Sequence, residues 1–225
     1  MNKNINKLIK VAELLAQENP IFIKTADKLK HGDIDVVIKD IKKTARKLAN
    51  NGFSIKYQPW HNRCSCWRRD IGEIDLHQDI GYWNLCFLDR IETRKIKRNN
   101  HEIKIPTKTY EISIYIIQFM FSETHWDSKK LNYVKNEMEK LSKSEIDKIR
   151  ELARKYGWID AFNCFLFKIK SRSKGVERYK LMLYIYLKIV RDIVNRKKIA
   201  CFLKFFDVPL RFLLYFLLNR ILKYH

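Results

Sequence analysis

A chain of 225 residues with 46% hydrophobic and 13% aromatic side chains carries enough apolar surface for a sizeable core, which excludes a disordered or low-complexity protein. Its formal net charge of +21 excludes an acidic surface and favours a polyanionic partner: nucleic acid, an anionic membrane or a nucleotide-bearing substrate. The N-terminal stretch to Gln17 is amphipathic and lysine-bearing, with no continuous apolar run or cleavage site, so the five cysteines are expected to be reduced in a cytoplasmic protein.

In chain order, the apolar spacing from Ile5 to Gln17 predicts a helix with a wide buried face, ended by Pro20. Ile21-Phe22-Ile23 reads as a short strand and Asp33 to Ile38 as the next. Lys39 to Asn50 predicts a helix with Ile41, Ala45, Leu48 and Ala49 on one side, and Asn50-Asn51-Gly52 as its stop signal. Phe53 to Tyr57, Arg63 to Arg69 and Glu73 to His77 predict three strands, the last two close enough to form a hairpin. Glu92 to Lys97 and Glu102 to Ile105 flank a turn at Arg98-Asn99-Asn100-His101. After Pro106 the pattern is helical: Tyr110 to Phe121, Leu131 to Leu141, a helix opened by the capping box Ser142-Lys143-Ser144-Glu145, a break at Gly157, then Trp158 to Phe167. This order predicts an α+β fold, a small mixed sheet with flanking helices over residues 1–106 and a helical region with a basic tail over 107–225.

The segment Gly32-Asp33-Ile34-Asp35-Val36-Val37-Ile38 carries the chemistry. Strand side chains alternate between faces, so Asp33 and Asp35 emerge together. Adjacent like charges repel, and a divalent cation relieves that repulsion; hard oxygen donors suit Mg²⁺ or Mn²⁺. A second acidic strand, Gly72-Glu73-Ile74-Asp75-Leu76-His77, offers a third carboxylate, with Glu73 and His77 on the face of Asp75. Cys64-x-Cys66 lacks the spacing of a structural zinc site, and His61 and Cys86 do not supply it. Trp60, Trp67, Tyr82 and Trp83 cluster near the acidic strand, where they are either core residues or a stacking surface for a base.

The run His31 to Ile38, the helix ending Asn50-Asn51-Gly52-Phe53 and the strand Glu73-Ile74-Asp75-Leu76-His77 together resemble a nucleotidyltransferase of the DNA-polymerase-β-like superfamily. The likeness is to its bacterial and archaeal group with an aliphatic-Asp-Leu-His second strand, and it spans roughly Ile5 to Phe167. The resemblance implies that Asp33, Asp35 and Asp75 are catalytic and hold Mg²⁺ or Mn²⁺. It also implies that Asp75 activates an acceptor hydroxyl and that NTP is the donor. The superfamily usually grips the triphosphate with a Gly-Ser segment upstream of the paired carboxylates. The corresponding stretch here is Lys24-Thr25-Ala26-Asp27-Lys28, so Lys24, Thr25, Lys28 and Lys30, with Gly32, become the expected phosphate contacts. Arg63, Arg68, Arg69 and His77 are candidates for binding the acceptor, whether nucleic acid, protein or small molecule.

Two other readings stay open. A glycosyltransferase also uses Asp-x-Asp with a metal and a nucleotide sugar, although no long alternating parallel α/β pattern precedes the motif. A catalytically degenerate, basic protein would bind nucleic acid or a membrane surface. From Lys168 to His225 there are fifteen Lys and Arg against three acidic residues. Tyr184, Lys188, Arg191 with Asp192 and Asn195, and then Arg211, Tyr215, Asn219 and Lys223, form polar stripes on apolar helices. These helices pack internally or make a peripheral membrane contact; none reaches the length of a spanning segment.

Overall fold

The computed structural model describes residues 3–23, 33–58, 63–82, 85–98, 101–121, 126–170, 180 and 183–190. The fold is α+β, and the chain divides into two compact units, Met1–Glu111 and Ile112–His225.

The first unit opens with α1 (Lys3–Leu14). The helix stops short of Gln17: a 3-10 turn over Ala16–Glu18 follows, and Asn19 adopts a left-handed conformation with φ 52°, which Asn tolerates better than most residues. A five-stranded sheet is then built from β1 (Ile21–Phe22), β2 (Ile34–Val37), β3 (Ser54–Gln58), β4 (Arg63–Arg68) and β5 (Gly72–His77), in the spatial order β1-β2-β5-β4-β3. The β2–β5 pair is parallel, with Asp35 opposite Asp75 and Val37 opposite His77. All other neighbours are antiparallel, including the expected β4–β5 hairpin. Gly72, at φ 94°, lets that hairpin turn where a side chain would be strained.

Between β2 and β3 lies α2 (Ile41–Asn50), started by Asp40, whose carboxylate accepts from the Lys43 amide at 2.9 Å. It ends as its sequence predicts. Gly52 has φ 80°, its N–H reaches Ala49 O at 2.9 Å and the Phe53 N–H reaches Leu48 O at 3.1 Å. That pair of bonds satisfies carbonyls the helix would otherwise leave open.

Two hairpins complete the unit: β6 (Ile80–Tyr82) with β7 (Leu85–Leu88), and β8 (Thr93–Arg98) with β9 (His101–Pro106). The first of these has no counterpart in the sequence reading, because Gly81 falls inside a run too short to show alternation.

One face of the sheet is apolar. Ile34, Val36, Ile74, Leu76, Cys64 and Cys66 pack with Leu8, Val11 and Leu15 of α1, Ala45 and Leu48 of α2, and Ile103 and Ile105 of β9. The two cysteines bring their sulfurs to 3.9 Å, and burial together with the Cys64 contact pushes the Cys66 thiol up. They are core thiols, turned away from the acidic side chains.

The second unit is helical. The division falls within α3 (Lys108–Phe121), and α4 (Ser128–Glu139), α5 (Lys143–Lys155) and α6 (Ile159–Lys170) follow. Ser142 and Glu145 make the reciprocal capping box that their spacing predicts. An aromatic cluster centres on Phe165, whose ring lies 5.8 Å from Phe119 and 5.4 Å from Trp126. Residues 183–190 are helical, with Ile185 and Ile189 buried. The sequence places Lys188 on a polar stripe, but the structure buries it completely and its amine donates to Tyr156 O at 2.8 Å. Leu183 and Val190 are exposed instead. The stripes beyond residue 190 lie outside the described residues. No described helix is long and apolar enough to cross a membrane.

Leu48 is fully buried between α2 and the sheet. Leu48→Ala is expected to cost about 2–5 kcal/mol, read as a lower urea midpoint with an unchanged slope in equilibrium unfolding of the full chain.

Candidate active site

The side of the sheet opposite the core is polar over β3, β4 and β5 and at Asp35 of β2, because those strands place alternate polar residues there, while Ile21 and Val37 make its β1 end apolar. The parallel register sets Asp35 directly against Asp75. The antiparallel β4–β5 register adds Ser65 beside Asp75, Trp67 beside Glu73 and Arg63 beside His77. Asp35 and Asp75 are both buried, at 6% and 2% exposure. Two carboxylates in that position require compensation, since an unpaired buried charge costs several kcal/mol.

The neighbours supply it. Ser65 Oγ donates to Asp75 Oδ1 at 2.5 Å, and the Arg63 guanidinium lies 3.2 Å from Asp75 Oδ2. His77 Nε2 sits 3.0 Å from Asp35 Oδ1. The Gln58 amide bridges the outer edge of the group, donating to Ser65 Oγ at 2.8 Å and accepting from Arg63 Nε at 2.7 Å. A polar chain therefore runs from Gln58 through Ser65 and Arg63 to Asp75, with the Asp35–His77 pair alongside.

Asp35, Asp75 and His77 each bring a ligand atom within 4.8 Å of the others, a spacing that a metal ion can bridge. Asp33 immediately precedes β2 and interacts with Glu73. The expected trio of Asp33, Asp35 and Asp75 thus resolves into an inner group joined by His77 and an outer Asp33–Glu73 pair. Burial pushes Glu73 above the ordinary carboxylate range; a hydrogen bond with Ser65 opposes the shift, and the negative charges of Asp33 and Asp75 reinforce it.

Other expected residues lie elsewhere. Arg68 alternates to the core side of β4. Its guanidinium stacks 4.5 Å from the centre of the Phe53 ring, grips Asp70 at 2.7 Å and donates to Asn51 O at 2.8 Å. These bonds hold the β4–β5 turn and the end of α2 and leave Arg68 away from the acidic face. Arg69 is exposed in that same turn. Lys24, Thr25, Lys28, Lys30 and Gly32 lie outside the described residues, as do His61, Trp60 and Trp83. Trp67 is 52% exposed on the polar side. Ser65 is the functional neighbour that the sequence reading missed; the alternation Arg63-x-Ser65-x-Trp67 against Cys64 and Cys66 is the signal that marks it.

An open cleft of about 1130 Å³ lies at the end of the sheet where the parallel strands finish, the side on which ligands usually approach such strands. Val37, Ile38, Gln78, Gln58 and Arg63 line it from the sheet, and Lys39, Lys42 and Lys43 from the start of α2. Arg63 belongs to both the cleft and the acidic group.

No protein-family model, curated protein or solved structure matches the chain.

The raised Glu73 carboxyl has a consequence for stability. Its folded pKa exceeds its unfolded one, so the native state retains the proton longer, and stability falls as pH rises between the two values. With metal chelated, Glu73→Gln is expected to be more stable than the parent near neutrality and equal to it in acid. Urea midpoints measured from about pH 4 to about pH 7 check this; a constant difference across the range would contradict it.

Proposed function

We propose that the protein is a metal-dependent nucleotidyltransferase that moves a nucleoside monophosphate from an NTP to an acceptor hydroxyl. The observation that carries this reading is the parallel pairing of Asp35 with Asp75, which sets two buried carboxylates from separate strands side by side, with Asp33 near Glu73 just ahead of β2. The resemblance of the two acidic strands to the polymerase-β-like superfamily agrees with it.

The donor set fits a hard divalent cation. Asp35 and Asp75 offer oxygen, Asp33 stands one step away, and His77 orients Asp35 through its hydrogen bond or adds a nitrogen donor. Oxygen donors favour Mg²⁺ or Mn²⁺, and such ions would offset the charge on the entering and leaving oxygens of an in-line displacement. The remaining work falls to the chain. The acceptor oxygen attacks the α-phosphorus, the bond to the bridging oxygen breaks and pyrophosphate leaves. Asp75 takes the hydroxyl proton once Arg63 turns from it to a phosphate, and Lys39 counters the triphosphate from the cleft wall. The small five-stranded sheet, with its single parallel pair, supports this reading over a glycosyltransferase.

A second reading has its own support. Arg63 and Ser65 already satisfy Asp75, and His77 engages Asp35. These contacts compensate the buried carboxylates in part without a cation, as a degenerate, non-catalytic member requires.

Incubation with each labelled NTP, a mixed pool of acceptors and Mg²⁺ or Mn²⁺ separates the two. Nucleotidyl transfer predicts pyrophosphate release, with Asp35→Asn and Asp75→Asn each reducing it on the order of a hundred- to a thousandfold. Release that survives both substitutions rules out this site. Absence of release, with no calorimetric binding of Mn²⁺, favours the degenerate reading.

A further inference from the structure

The outer face of α2 is a concentrated basic surface of the first unit. Residues 39–47 include Lys39, Lys42, Lys43, Arg46 and Lys47. Lys42, Lys43, Arg46 and Lys47 recur at helical spacing on one side, while Thr44, Ala45 and Leu48 are buried on the other. Glu18 pairs with Lys43 at 3.5 Å and with Lys47 at 3.9 Å, and Asp40 caps the helix, which leaves five cations against two carboxylates on this face.

Two depressions join along this face. The large cleft reaches Lys42 and Lys43, and a shallower one of about 600 Å³ continues from them past Arg46 and Lys47 to Asn50. Tyr57, 53% exposed on β3, also lines the large cleft. A cationic track leading to an exposed ring is the combination that holds single strands: the cations follow the phosphates and the ring stacks a base. A duplex keeps its bases stacked and leaves the ring unused, whereas a headgroup layer also accommodates tyrosine, so vesicles serve as the competing ligand in the test.

We propose that the α2 face and Tyr57 form a binding surface for single-stranded nucleic acid. Phosphates lie along Lys42, Lys43 and Arg46, and one base stacks on Tyr57. The strand then enters the cleft beside Arg63, so the acceptor of the transfer reaction is a nucleic-acid end. This acceptor assignment rests on the nucleotidyl-transfer reading; the binding surface does not.

The test uses the full chain with a fluorescein-labelled oligouridine in EDTA, without NTP, and fluorescence anisotropy at several salt concentrations. Lys42→Ala/Lys43→Ala/Arg46→Ala is expected to weaken binding and lower the slope of log affinity against log salt by about 2. Tyr57→Ala is expected to weaken binding between about five- and a hundredfold at an unchanged salt slope, and Tyr57→Phe to bind like the parent. All these side chains are at least partly exposed, and circular dichroism melts verify folding. Unchanged binding in the triple variant overturns the surface. So does a harmless Tyr57→Ala, or equal competition by phosphatidylserine vesicles at matched phosphate, since either reduces the face to a general polyanion or membrane contact. The expected binding pattern without any nucleotidyl transfer supports the surface and overturns the acceptor assignment. Transfer without the binding pattern overturns the surface and the acceptor assignment with it, and leaves the nucleotidyl-transfer reading standing.

Discussion

Two buried carboxylates held side by side by the parallel pairing of β2 and β5 are the constraint to which the first unit answers. A register slip of one residue would send Asp35 into the core and Val36 to the polar face, so the apolar packing of Ile34 and Val36 against α1 and α2 fixes the position of Asp35 as firmly as any contact of its own. The same holds for Asp75 between Ile74 and Leu76, each fully buried. Packing on one side of the sheet thereby places the acidic group on the other.

The third strand, β4, answers the electrostatic problem this creates. Ser65 and Arg63 reach Asp75 because the β4–β5 hairpin lies in register with it, and Gln58 on β3 ties the two together. The hairpin turn is secured in turn by Arg68, whose stacking on Phe53 and bonds to Asp70 and Asn51 link it to the end of α2. Arg63 and Arg68 are equivalent as charges in the sequence, and the five-residue offset that puts them on opposite faces gives them different work.

Much of this was legible beforehand because it depends on period. The two acidic strands, α2 with its Asn51-Gly52 stop, the β4–β5 hairpin and the Ser142 capping box all announce themselves through local alternation or end signals. The cluster's membership was less legible. Alternation predicted that Asp33 and Asp35 would share a face, but only the pairing of β2 with β5 shows that Asp35 meets Asp75 and His77 while Asp33 meets Glu73. Strand order is a non-local property, and no residue in either segment encodes it alone. The β6–β7 hairpin escaped for the opposite reason, being too short for any period to emerge. Lys188 was misplaced because a long amphipathic side chain can be buried when a backbone carbonyl, here that of Tyr156, meets its amine.

The outer strands of the sheet bear on how the molecule behaves in a crowd. β1 is two residues long, and β3, which among the described residues pairs with β4 alone, projects Lys56 and leaves most of its side chains in solvent. Short or lysine-bearing borders make poor templates for another chain's backbone. The same border that carries the open Tyr57 ring is thus guarded against stacking copies of itself into fibrils, so an aromatic there need not bring self-assembly with it.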